Sequence, residues 1–140
     1  MIGIIDYGVG NVNAFQNIYK KSNIKSKIIS CKSDLHKCSK LILPGVGHFS
    51  NSMNKLYSSG LKESLDDMVL LNKIPVLGIC VGMQMMARFS EEGNIDGLGW
   101  LSADVKKIDI KNLNHKPLLP HMGWNDLRVL KDNVIISSKK

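Results

Sequence analysis

Short apolar runs alternate with longer stretches of helical spacing along this 140-residue chain. The β-rich runs Ile2–Asp6, Lys27–Ser30, Lys40–Leu43 and Pro75–Ile79 are short and flanked by turn-forming residues, so they read as strands. Pro44-Gly45 is expected to end the third. Between them, Asn13–Lys21 reads as a helix with Phe15, Ile18 and Tyr19 on one side, and Ser50–Ser58 and Leu61–Leu71 as further helical segments. Gly82–Phe89 is expected to be helical after the fourth strand. Beyond Gly93 the pattern changes to glycine-marked turns and short strands, near Ala103–Ile108 and Asn133–Ser137. This alternation predicts an α/β fold around a largely parallel sheet. No repeat, low-complexity tract or linker divides residues 1–140, which read as one domain.

Composition changes this picture little. Hydrophobic residues make up 44% and charged residues 22%, as in ordinary globular domains. No apolar run approaches the ~20 residues that span a bilayer, so no membrane role is expected. The start, Met-Ile-Gly-Ile-Ile-Asp, lacks a basic segment and meets Asp6 at once, unlike a secretory signal. Three cysteines, Cys31, Cys38 and Cys80, show no framework spacing and point to a reducing cytoplasm. The net charge of +7 comes from lysines dispersed along the chain with few aromatics among them. That pattern is a solvated surface rather than a nucleic-acid site, which needs clustering and stacking rings.

Candidate chemistry centres on G-I-C-V-G, residues 78–82, at the end of the fourth strand. Glycines two before and two after a cysteine suit a nucleophile elbow, where a strand turns sharply into a helix. The turn would lift the Cys80 thiol to the carboxyl ends of the strands, where open α/β sheets bind ligands. A helix N-terminus behind the sulfur would favour thiolate, and the Val81 N–H would face an oxyanion. The bland reading is an inert buried cysteine, which the flanking glycines argue against. L-P-G-V-G-H-F, residues 43–49, follows another strand and can present backbone N–H groups as an anion nest, the second half of an oxyanion hole.

Other patterns are weaker. D-Y-G-V-G-N (6–11) is a partial dinucleotide fingerprint: Asn13 stands where the third glycine belongs, and Ser30-Cys31 where an acid should close the second strand. No nucleotide cofactor is expected. Cys31, His36 and Cys38 lack a zinc spacing, so no metal is expected, and a core cysteine with surface neighbours is the plainer reading. His115 and His121 have no third ligand. Met83, Met85 and Met86 read as core filler, and Asp66-Asp67 as a solvated helix face.

D-Y-G-V-G-N, L-P-G-V-G-H-F, G-I-C-V-G-M-Q, G-L-G-W-L (97–101) and P-H-M-G-W-N (120–125) occur in this order over essentially the whole chain. Together they resemble the class I, triad-type glutamine amidotransferases, and within them the glutaminase subunits of imidazole glycerol phosphate synthase. Val81 stands where Leu is commoner, a harmless change if its N–H does the work. The resemblance implies a three-layer, flavodoxin-like amidotransferase fold. It implies that Cys80 attacks the carboxamide carbon of glutamine, with the oxyanion held by N–H groups of Val46, Gly47 and Val81. Gly47 and Gln84 match positions that contact glutamine. Asn11 and the stretch His121, Met122, Gly123, Trp124 and Asn125 match the face turned to a (β/α)8-barrel synthase partner, which receives the ammonia. Trp124 is otherwise an ordinary core indole.

One family element is missing. The base and its orienting acid lie on a late His-x-Glu motif, and none of His36, His48, His115 or His121 is followed two residues on by a carboxylate. The expectation is therefore an N-terminal portion of the fold, C-terminally incomplete and inactive alone. Two alternatives stay open: a paralogue feeding ammonia to a surface-sugar amidation enzyme, and a non-catalytic interaction subunit.

Overall fold

The computed structural model describes residues 1–111, 120 and 122–130. These fall into two compact units, Met1–Lys107 and Ile108–Lys140. The first is built on a four-stranded parallel sheet, ordered β2-β1-β3-β4, from β1 (Ile2–Ile5), β2 (Ser26–Ile29), β3 (Lys40–Gly45) and β4 (Val76–Cys80). A central parallel strand is buried on both faces, which is why Leu41, Ile42 and Leu43 form an unbroken apolar run. Alternate residues then serve opposite layers. Ile5, Leu41 and Leu43 pack with Phe49, Met53, Leu56, Leu65 and Met85, whereas Ile4 and Ile42 pack with Val12, Phe15 and Tyr19.

Helix α1 (Val12–Lys21) covers the second face. Asn11 caps it, its Oδ1 accepting the Ala14 N–H at 3.1 Å, and Lys20 and Lys21 complement the dipole at its end. The short α2 (Lys32–Leu35), α3 (Phe49–Ser59), α4 (Lys62–Asp66) and α5 (Val81–Met85) contribute Leu35, Phe49, Met53, Leu56, Leu65 and Met85 to the first. Gly60, in the left-handed region at φ +69°, ends α3. Beyond α5 lies a small second sheet of β5 (Phe89–Ser90), β6 (Ile95–Asp96) and β7 (Asp104–Val105), with β5 central. Among the described residues no helix is long and apolar enough to cross a membrane.

Several boundaries depart from the sequence expectation. β3 does not stop at Leu43: Pro44 pairs with Ile79 and Gly45 with Cys80. The ladder to β1 has already ended at Ile42, so Pro44 sits where the strand has one neighbour and its missing N–H does no harm. The helix expected over Leu61–Leu71 becomes α4 followed by a π-helical turn, Asp67–Leu71, closed by the Asn72 N–H to the Asp67 carbonyl. The helix expected to reach Phe89 ends at Met85, and Phe89 opens β5. The cause is tertiary. Leu98, Gly99 and Leu101 donate N–H groups to the carbonyls of Met85, Ala87 and Met86, taking the bonds a longer helix would need. Gly97 passes so close to the Ala87 carbonyl that no Cβ would fit, which gives G-L-G-W-L a structural purpose.

Asp66 is not a solvated face residue. It accepts the Trp100 indole N–H at 2.7 Å and pairs with Lys62, tying the G-L-G-W-L loop to α4. Met83 is exposed, whereas Met85 and Met86 are core as expected. The strand expected near Ala103–Ile108 shrinks to Asp104–Val105, and that expected over Asn133–Ser137 lies outside the described residues.

Candidate functional site

β4 delivers Cys80 to the carboxyl end of the sheet, exposed, at φ +55° and ψ −122°. Such a backbone is nearly closed to residues with a Cβ and costs about 1–3 kcal/mol. Its neighbours show how it is enforced. A Cβ on Gly78 would strike the Met83 backbone, one on Gly82 the Leu43 carbonyl, and one on Gly45 the Gly82 nitrogen. Backbone therefore packs on backbone where β3, β4 and α5 meet, and the chain must turn sharply at Cys80. The thiol stands at the N-cap of α5, and the first N–H groups of that helix lack intrahelical acceptors. The helix is five residues long, shorter than expected. Val81 buries its side chain, leaving the backbone N–H as its usable group.

The P-G-V-G turn leaves the sheet beside the thiol, because Gly45 is in register with Cys80. Val46 and Gly47 are exposed, and Gly47 has φ +81° with open space around it. Two hydroxyls grip this turn from the core. Tyr7 donates to the Pro44 carbonyl at 2.6 Å and also lies 3.4 Å from the Met85 sulfur. Ser52, fully buried on α3, donates to the Val46 carbonyl at 3.3 Å. Burial pushes the Tyr7 phenol up to about 12, against a smaller opposing effect of the Ser52 hydroxyl.

D-Y-G-V-G-N packs alongside. Gly8 and Gly10 take φ +85° and +90°, Asp6 accepts the Gly8 N–H, and a Cβ on Gly10 would lie 3.1 Å from the Pro44 ring. The motif is thus a tight turn against the P-G-V-G strand end.

Gln84, half-buried on α5, lines a cavity of about 470 Å³ with Glu91, Glu92, Val105, Lys106 and Lys107. Glu92 was not singled out by sequence. Its Oε2 accepts the Phe49 N–H at 2.8 Å, at the start of α3, so the carboxylate anchors the end of the P-G-V-G-H-F segment. The only local sign in the sequence is the Glu-Glu-Gly stretch, residues 91–93. His48 caps α3, its Nδ1 accepting the Ser50 N–H at 3.3 Å and meeting the Ser50 hydroxyl at 2.8 Å. That nitrogen is engaged in a cap.

Asn11 is exposed while capping α1. In the second unit Met122, Gly123, Trp124 and Asn125 are all exposed, and Trp124 is fully so; it is not a core indole. Leu127 and Leu130 are exposed with them. His121 and His115 lie outside the described residues. Cys38 is buried, its thiol pushed up by that burial, while Cys31 and His36 are exposed. Cys31 meets Ser33 Oγ at 3.2 Å, in keeping with a core cysteine and surface neighbours.

Comparison with known proteins converges on one family. The model of the class-I glutamine amidotransferases matches residues 3–137. The imidazole glycerol phosphate synthase subunit HisH of Leptospira interrogans is 46% identical over 136 residues, covering 97% of this chain and 67% of the relative. HisH of Bdellovibrio bacteriovorus is also 46% identical, over 129 residues, covering 91% and 63%. The chain thus spans about two-thirds of the length of these curated relatives. A crystal structure of a glutamine amidotransferase superposes with a TM-score of 0.65 at 22% identity, over 75% of this chain and 55% of that one, a likeness of fold.

Proposed function

The chain belongs to the class-I glutamine amidotransferases, and from that premise we propose that it carries the nucleophilic half of a glutaminase serving imidazole glycerol phosphate synthesis. The relatives' names support the pathway, and one observation supports the chemistry. Cys80 sits on a strained elbow in register with a glycine turn whose carbonyls are held in the core.

In this reading the Cys80 sulfur adds to the carboxamide carbon of glutamine. The oxyanion is met by N–H groups of Val46, Gly47 and Val81. The carbon–nitrogen bond then breaks as the amide nitrogen takes up the proton the thiol gave up, ammonia leaves, and a glutamyl thioester remains. Water then cleaves the thioester, giving glutamate and the free thiol. Gln84 and Gly47 contact the substrate. Glu91 and Glu92 on the cavity wall suit its ammonium group, and Lys106 and Lys107 its carboxylate.

The ammonia passes to a (β/α)8-barrel synthase subunit, which builds imidazole glycerol phosphate and an aminoimidazole carboxamide ribonucleotide. Asn11 and His121–Asn125 face that partner. Exposure of Trp124 beside Met122 supports this, since aromatic anchors dominate such interfaces.

Residues 1–140 by themselves do not turn over glutamine. None of their histidines carries the His-x-Glu arrangement, and the described His48 uses Nδ1 in capping. General acid–base assistance is worth roughly 10²–10⁴ in rate, and ammonia leaves poorly without it.

Treatment of the chain, extended by a segment supplying the rest of the relatives' length, with a diazo-ketone analogue of glutamine, followed by peptide mass spectrometry, tests the assignment. Cys80 should be modified and free glutamine should protect it. Modification of Cys31 or Cys38 with Cys80 untouched refutes it.

A further inference from the structure

We propose that the buried hydroxyls of Tyr7 and Ser52 are positioning residues for the oxyanion turn, fixing its peptide planes so that the Gly47 N–H faces outward beside Cys80. This inference rests on the glutaminase reading above.

Ser52 is the odd residue on its helix face. Phe49, Met53 and Leu56 around it are fully buried apolar side chains, and a hydroxyl there costs stability unless it has an acceptor. Its acceptor is the Val46 carbonyl. In a trans peptide the C=O and the following N–H point in opposite directions. Drawing the Val46 carbonyl inward to Ser52 therefore turns the Gly47 N–H outward, to the exposed surface on which Cys80 lies in register. Tyr7 acts two peptides upstream, drawing in the Pro44 carbonyl with a short 2.6 Å bond. Because burial raises its pKa to about 12, the phenol keeps its proton and remains a donor.

Among the described residues, no atom beyond its chain neighbours lies within 4 Å of where a Cβ on Gly47 would stand. Glycine adopts φ +81° without steric penalty, so the outer side does not fix this turn. The two hydroxyls come from different elements, the loop after β1 and the helix after the turn, and converge on one four-residue segment.

The role predicts a selective defect. A chloroketone analogue of glutamine reacts by addition of the Cys80 sulfur to its ketone, forming an oxyanion. The sulfur then displaces chloride from the adjacent carbon, and the ketone re-forms as the first carbon–sulfur bond breaks, leaving a thioether. Iodoacetamide loses iodide in one displacement and forms no oxyanion. The ratio of the two rates on one protein cancels its thiolate fraction.

In Ser52→Ala and in Tyr7→Phe the chloroketone/iodoacetamide ratio should fall about tenfold, below the 10²–10³ of losing a donor outright, with half-saturation by the chloroketone unchanged. Met85→Leu removes the sulfur beside the Tyr7 hydroxyl but leaves the bond to Pro44, and should keep the wild-type ratio. An unchanged ratio in either hydroxyl variant removes that residue from the role, and an equal fall in Met85→Leu assigns the effect to packing and overturns the proposal. A wild-type chloroketone reaction that glutamine does not slow refutes the glutaminase reading itself, which is a separate result.

Discussion

Replacing Cys80 by glycine should stabilise the protein, and replacing it by alanine should not. At φ +55° and ψ −122° the backbone of Cys80 lies where a Cβ is strongly disfavoured, at about 1–3 kcal/mol. The thiol is exposed, so its removal forfeits little buried area. Glycine adds unfolded-state freedom that takes back about 0.5–1 kcal/mol, while alanine keeps the Cβ and hence the strain. The net expectation is Cys80→Gly more stable than Cys80→Ala by roughly 1–2 kcal/mol. At an ordinary strand end the order is reversed, so the sign alone is diagnostic. Urea unfolding followed by circular dichroism, with matching m values, measures it. Alanine equal to or better than glycine would show that the elbow stores no strain, and the enforcement argued from Gly45, Gly78 and Gly82 would fall with it.

Gly82→Ala should lower stability by about 2 kcal/mol or more, since the new methyl meets the Leu43 backbone rather than a yielding side chain; an unchanged urea midpoint contradicts this. Tyr7 gives an alkaline signature. Its folded value of about 12 lies above the ordinary ~10, so its contribution is intact below pH ~10 and is lost as pH rises towards ~12, about 2–3 kcal/mol in all. Melting temperatures of Tyr7→Phe should fall less steeply than wild type across that window, and parallel slopes refute the assignment. Trp124→Ala should weaken binding to the cognate synthase by ~2 kcal/mol or more in calorimetry while leaving the melting temperature in place, and unaltered affinity excludes Trp124 as an anchor.

The strands of the main sheet were legible because parallel strands need unbroken apolar runs, and Ile2–Ile5 and Leu41–Leu43 have no other use. The elbow was legible because glycines flank Cys80 on both sides. What failed was decided by partners distant in the chain. Phe89 stands at helical spacing from Met85 and Met86, yet the helix ends early because Leu98, Gly99 and Leu101 take its carbonyls. Pro44 looks like a strand terminator until its register with Ile79 is known. Ser52 and Glu92 look like surface residues, and only the fold reveals that one holds Val46 and the other Phe49. Asp66 was misread for the same reason, its partner Trp100 lying 34 residues on.

Glutamate release with the cognate synthase present tests the central claim most directly. The comparison is between residues 1–140, the same chain extended by a segment supplying the rest of the relatives' length, and that extended chain carrying Cys80→Ala. Release is predicted from the extended wild type alone. Equal release from the Cys80→Ala protein would contradict the assignment of Cys80 as the nucleophile, and comparable release from residues 1–140 would show that a base already lies within them.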